Sequence, residues 1–171
     1  MRKLASVVHY VDVVNLWVGR LAAYLVLGMV VVLIYEVVLR YVFESPTIWA
    51  HETAQWLYGM HFILLGGFVL IYGAHVKMDI LYSRWSARTK ARVDSVTAIL
   101  ILFFLAAFLW QAIGGAYHSF TIREVSFSAW HPPIWIFKCF FPTGVFLILL
   151  QVIARFIRDA HLAITGKELS L

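Results

Sequence analysis

The hydrophobic positions of this chain come in long runs and do not alternate with polar ones at a helical or strand period. Runs over 21–35, 56–72, 96–110 and 134–153 each approach the roughly 20 apolar residues that a helix needs to cross a bilayer. A soluble helix keeps a polar stripe because one of its faces meets water. Here no such stripe interrupts the runs, so the outer face is suited to lipid. The pattern predicts an all-α membrane protein with four transmembrane helices, over approximately 14–42, 48–72, 93–117 and 133–157, in a single membrane domain spanning 1–171. The first span is longer than a perpendicular crossing requires, and such a helix tilts or protrudes. Ahead of it, Leu4, Val7, Val8, Val11 and Val14 recur at helical spacing. That suits either a short amphipathic helix on the interface or a plain extension of helix one.

Polar residues mark the connections. Ser45-Pro46-Thr47 reads as a turn into helix two, with Ser45 or Thr47 able to cap it. Ser86 is placed to cap helix three, and Pro132-Pro133 opens helix four, where missing backbone donors cost least. Pro142 falls inside helix four, removes the bond to the carbonyl of Lys138 and predicts a kink there. Gly59, Gly66 and Gly73 recur every seven residues along helix two, which leaves one side smooth enough for a neighbouring backbone. Trp49, Trp56, Trp85, Trp130 and Trp135 all fall near predicted membrane boundaries, as aromatic belts do.

Composition agrees: 63% of the 171 residues are hydrophobic and 13% charged, against roughly a quarter charged in an average soluble domain. The formal charge of +5 matters less than its placement. Basic residues gather in the N-terminal segment (Arg2, Lys3), the middle loop (Lys77, Arg84, Arg88, Lys90, Arg92) and the C-terminal segment (Arg155, Arg158, Lys167), whereas the loops of the opposite side hold only Arg123. The positive-inside rule then puts both termini and the middle loop in the cytoplasm, with membrane lipid, and no nucleic acid, as the basic residues' partner. The start Met1-Arg2-Lys3 is followed by an apolar stretch broken by His9, Asp12 and Asn15 without a small-residue cleavage site. A retained segment is therefore expected rather than a signal peptide.

Few intramembrane groups are ionisable. Glu36 and Arg40 stand four residues apart and share a helical face. Two readings stand for them: a buried role between helices or subunits, or an Arg40 that snorkels outward with Glu36 following it. Lys138 lies one turn inside the membrane and is expected to snorkel outward, and Gln151 to bond a neighbouring helix. Arg123 and Glu124 in the outer loop suit either a solvated loop or a contact with another protein. The single cysteine, Cys139, excludes an internal disulfide and a cysteine metal cluster, and is expected to be a small packing residue. The chain contains no nucleotide-binding glycine loop, nucleophile with a base, or paired carboxylates, so it reads as neither an enzyme nor an ATPase, with no catalytic, cofactor or metal residues. Seven histidines raise one alternative, a haem-binding membrane anchor of a respiratory enzyme. Only His61 lies well inside a span, without a second axial ligand at matching depth, and the simpler reading is a packed, hydrogen-bonded core residue. A self-sufficient carrier would show internal repeats and broken helices, and the two halves carry no convincing repeat.

Taken in order, these residues resemble the small membrane subunit, DctQ type, of tripartite ATP-independent periplasmic (TRAP) transporters. The resemblance lies in Glu36 with Leu39-Arg40-Tyr41, Trp49 and Glu52, Gly73 with His75-Val76-Lys77-Met78-Asp79, and then Glu124, Ser128, Trp130, Pro133, Lys138, Pro142, Gly144 and Gln151. Many members have two adjacent acids after the tryptophan of helix two, where this chain reads His51-Glu52. The resemblance implies a multi-pass subunit of the bacterial inner membrane that packs beside a large membrane subunit and steadies its scaffold. A periplasmic solute-binding protein would deliver an organic acid or related solute, and sodium would act in the large subunit, with no cofactor in this chain. It also implies that Glu36, Arg40, Trp49 and Glu52 form a structural or subunit-contact cluster on the outer half. His75 and Asp79 are the cytoplasmic candidates, and Lys138 and Gln151 complete the set.

Overall fold

Apolar runs of this length have no competing structure once lipid covers them, because every backbone donor and acceptor must be satisfied within the segment. A computed structural model accordingly contains four long helices; it describes residues 2–72 and 85–166. They are α1 (Arg2–Tyr41), α2 (Ala50–Ile71), α3 (Ala87–Thr121) and α4 (Ile134–Thr165), and each is long and apolar enough to cross a membrane. Residues 73–84 of the middle loop, His75 and Asp79 among them, lie outside the described residues, and Arg88, Lys90 and Arg92 of that stretch belong to α3.

The N-terminal segment resolves one open choice. It is the start of α1, continuous with the span, and it contains no glycine or proline before Gly19 to interrupt it. Val8 on this extension is buried. Side-chain hydroxyls receive backbone N–H groups at two starts, though only Ser86 is the N-cap residue itself; at α2 that place is held by Trp49. Ala50 donates its backbone N–H to Thr47 Oγ1 at 3.3 Å, and Thr89 donates to Ser86 Oγ at 3.2 Å. The end of α3 closes differently. Arg123 adopts a left-handed φ of 48°, while Glu124 N donates to the Ser119 carbonyl at 3.0 Å and Arg123 N to that of Phe120 at 3.2 Å. This is the Schellman arrangement, here built without glycine. At α4 the same left-handed position is filled by Gly166, φ 70°.

Helix α4 is the hub: it packs against α1, α2 and α3, while α1 packs mainly on α2. Adjacent helices run antiparallel, so one end of the bundle carries the start of α1 and the end of α4, and the other carries the 42–49 and 122–133 loops. These are called the terminal end and the loop end below. The core is a seam in which Ala98 and Leu105 of α3 meet Val145 and Val152 of α4, flanked by Ile63 and Leu70 of α2. Two of the spaced glycines of α2 serve the contact with α4, since an added Cβ at Gly59 would lie 2.8 Å from Phe137 and one at Gly66 would strike Ile148. Gly144 reciprocates from α4, where a Cβ would lie 2.5 Å from Ile63. Pro142 sits within an α4 that continues past it. Most large apolar side chains, Phe103, Trp110 and Tyr117 among them, remain exposed, as befits a surface that meets lipid or other membrane helices.

Candidate functional site

Polar side chains gather at both ends of the bundle. At the loop end, Glu36 and Arg40 are one helical turn apart on α1, and Arg40 donates to Glu36 Oε1 from Nε at 3.0 Å and from Nη2 at 2.5 Å. The other carboxylate oxygen accepts from the Thr47 backbone N–H at 3.0 Å and from its hydroxyl. Because the Thr47 hydroxyl also receives Ala50 N–H, Glu36 is tied through one residue to the first turn of α2. The Glu36 side chain is 10% exposed and that of Arg40 51%, so the pair hides its carboxylate and presents its guanidinium. Trp49 leans on Tyr35 with ring centroids 5.9 Å apart.

Glu52 does not join this group. It accepts from Ser128 Oγ at 2.6 Å, which anchors the 122–133 loop on α2. Trp130 of that loop lies 6.1 Å from Trp56, which in turn stacks on Phe137 at 5.8 Å. The loop is also internally bonded, with Ser126 N donating to the Pro132 carbonyl at 2.9 Å and Val125 bridged to Pro133. Glu124 is its charged centre, accepting from Lys138 Nζ at 2.5 Å and from Ser119 Oγ at 2.6 Å. The Lys138 ammonium, then the Ser119 hydroxyl, hold the Glu124 carboxyl below its ordinary range. Lys138 thus reaches back from the start of α4 to the 122–133 loop. His51 faces Gln55, with its Nε2 3.1 Å from Nε2 of the amide.

At the terminal end a second cluster crosses from α1 to α4. Gln151 donates to Asp12 Oδ1 at 2.8 Å and accepts from Asn15 Nδ2 at 3.0 Å, and Arg158 pairs with Asp12. Asn15 and Gln151 are each only 1% exposed. Next along α4, Arg155 lies 3.8 Å from Asp94 of α3 and 3.6 Å from Asp159. Gly67 of α2 completes the packing, for a Cβ there would fall on Asn15 Oδ1. One buried cluster therefore engages α1, α2 and α4, and its neighbour Arg155 reaches α3.

A sequence model of the family described as tripartite ATP-independent periplasmic transporters, DctQ component, matches residues 29–162. The chain belongs to this DctQ family. No curated protein matches the chain. The match makes it a component of a tripartite transporter, a family of transporter parts and not of enzymes, and its four long apolar helices make it a multi-pass membrane protein. The DctQ match spans the loop-end cluster and Gln151, Arg155 and Arg158, and begins after Asp12 and Asn15.

Geometry sorts the candidate residues of this DctQ chain. Glu36, Arg40 and Trp49 gather at the α1–α2 corner, Glu52 and Lys138 hold the outer loop, and Gln151 joins the opposite end. Asp12, Asn15 and Arg158 are missed by sequence reasoning, although polar residues in an otherwise apolar helix are a signal that would have flagged them. His61 is half-buried, with Nδ1 2.9 Å from the Ala22 carbonyl, a hydrogen-bonded contact between α2 and α1. Cys139 is exposed, beside Pro142 on a shallow apolar notch, and so differs from the packing residue expected.

Proposed function

We propose that this chain is the accessory subunit that steadies the scaffold of a sodium-coupled TRAP transporter in the bacterial inner membrane, for uptake of an organic acid or related solute. The observation that carries the proposal is membership of the DctQ family. Its support in the molecule is mechanical. Helices held by hydrogen-bonded clusters at both ends suit a part that stays fixed while another moves, and the wide exposed apolar surface suits a neighbour in the membrane. In this reading the solute is captured by the periplasmic protein, sodium acts in the large subunit, and this chain holds neither a cofactor nor a metal. The basic residues of the terminal end and the middle loop face the cytoplasm, by the positive-inside rule. The single domain runs through all four spans, and Glu36, Arg40, Trp49, Glu52 and Lys138 form the rim on the periplasmic side. His75 and Asp79 are assigned to the cytoplasmic side on the resemblance alone.

The test is to express the tagged chain in its native host, solubilise the membrane gently and identify what co-purifies, with a visible absorption spectrum on the same sample. A large multi-helix membrane subunit in comparable amount, without a haem band, is expected. A chain recovered with redox subunits and strong haem absorption would overturn the assignment.

A further inference from the structure

Arg40, Lys138, Arg155 and Arg158 each face a carboxylate, whereas Arg20 faces none among the described residues. It lies on the exposed side of α1, with its guanidinium carbon 5.7 Å from the centroid of the Trp17 ring. Trp17 is itself 60% exposed. A cation on the outside of a membrane helix needs an anion or water, and its depth decides which is in reach.

Depth follows from α2. Its 22 residues at 1.5 Å each come to about 33 Å, close to the roughly 30 Å of the hydrocarbon core. The last turns of α2 at the terminal end contain Gly67 and Phe68, which pack against Asn15 and Gly19 of α1. Arg20 therefore lies about one turn inside the hydrocarbon boundary at that end. Helical side chains lean toward the helix N-terminus, which for α1 is the same boundary. The guanidinium thus leans outward over Trp17, toward the level of the lipid phosphates.

The same face continues inward as Leu21, Tyr24, Leu27 and Val31, all exposed and bulky. Closely packed membrane helices favour small residues; large aromatics beside an unpaired cation at a boundary suit the headgroup zone. A ring facing the guanidinium holds it by cation–π attraction, and the guanidinium keeps N–H donors for two-pronged contact with a phosphate. From these observations we propose that Arg20 and Trp17 form a headgroup site for an anionic phospholipid in the leaflet at the terminal end. The bound lipid sets the depth of α1. The site requires only that the helices span a membrane, so it stands apart from the transporter reading.

The full chain, purified in mild detergent and placed in nanodiscs of phosphatidylcholine with added phosphatidylglycerol, is analysed for retained lipid by native mass spectrometry. The wild-type chain should keep phosphatidylglycerol in excess over its share of the disc. R20Q should lower that excess about fivefold, the factor that one Arg near an anionic surface contributes, while R20K should fall between the two. Because Arg20 is exposed, the helical circular dichroism and melting midpoint of R20Q should match wild type. R92Q serves as the control, removing an exposed basic residue at the start of α3, and should change little. An equal loss in R92Q would reduce the effect to general charge attraction and overturn the site. So would unchanged retention in R20Q, or displacement of the lipid by inorganic phosphate alone. Loss of the large subunit from R20Q co-purifications with lipid retention intact would give Arg20 to a protein contact instead.

Discussion

At the scale of single residues, the chain distinguishes glycines that hold helices together from glycines that face outward. Gly67 is pressed against Asn15 Oδ1, a buried acceptor with no hydrogen-bond partner among the described residues, so a methyl group there must displace Asn15 from Gln151. Gly67→Ala is expected to destabilise the isolated subunit by about 1–3 kcal/mol, the usual cost of overpacking. Among the described residues nothing lies within 4 Å of the missing Cβ of Gly115, and Gly115→Ala should leave the melting midpoint unchanged or slightly raised, since alanine is the better helix former. Thermal melts of the two variants in one detergent check the pair, and equal losses would contradict the contact at Gly67. Glu124 gives a prediction with a sign. Its carboxyl is held below the ordinary value of 4.5, so its contribution is complete above that pH and is lost as the pH falls through the lower folded value. The melting midpoint of the wild-type chain should therefore drop on acidification below about pH 4.5, and that of Glu124→Gln should drop less over the same window. Parallel pH profiles would assign the acid sensitivity to other carboxylates.

At the scale of elements, what could be read from sequence depended on the range of the interaction. The four helices were legible because lipid removes the need for a polar face and leaves uninterrupted runs. The Glu36–Arg40 pair was legible because four residues is a helical turn, and the hydroxyl contacts of Thr47 and Ser86 because each reaches an N–H three residues on. The Asp12–Arg158 pair joins positions separated by 146 residues, and no local spacing announces it. Nor does any announce the loop at 122–133, whose fold depends on Glu52 and Lys138 arriving from two other helices. The same long-range contacts explain why α1 begins so early, since Asp12 and Asn15 give its extension partners on α4. The backbone amides of residues 8–15 should accordingly exchange with deuterium as slowly as those deeper in α1. Asp12→Ala should speed exchange across 8–15 without affecting the loop end, because it strips Arg158 of its partner in a partly buried site. Fast exchange there in the wild-type chain would mean that the extension is not docked.

At the scale of the whole molecule, α4 ties the bundle together, with clusters at each end and an apolar, glycine-smoothed seam between them. In the proposed reading such a body acts through what it holds in place. Arg40 tests this because its two possible contributions differ in size. Within the chain its half-exposed guanidinium meets the buried Glu36 carboxylate one helical turn away, and solvent screening on the arginine side keeps such a pair to about 0.3–0.5 kcal/mol. Glu36 would still be bonded by both donors of Thr47 after its loss. Arg40→Ala should therefore barely shift the melting midpoint of the isolated subunit. If the half-exposed guanidinium meets the large subunit, the same substitution should lower co-purification of that subunit severalfold and reduce uptake in proportion, with the preference among solutes unchanged. An intact complex with altered solute preference would place this chain in the solute path and end the scaffold reading. An unchanged complex with unchanged uptake would confine Arg40 to the small local role its geometry already gives it.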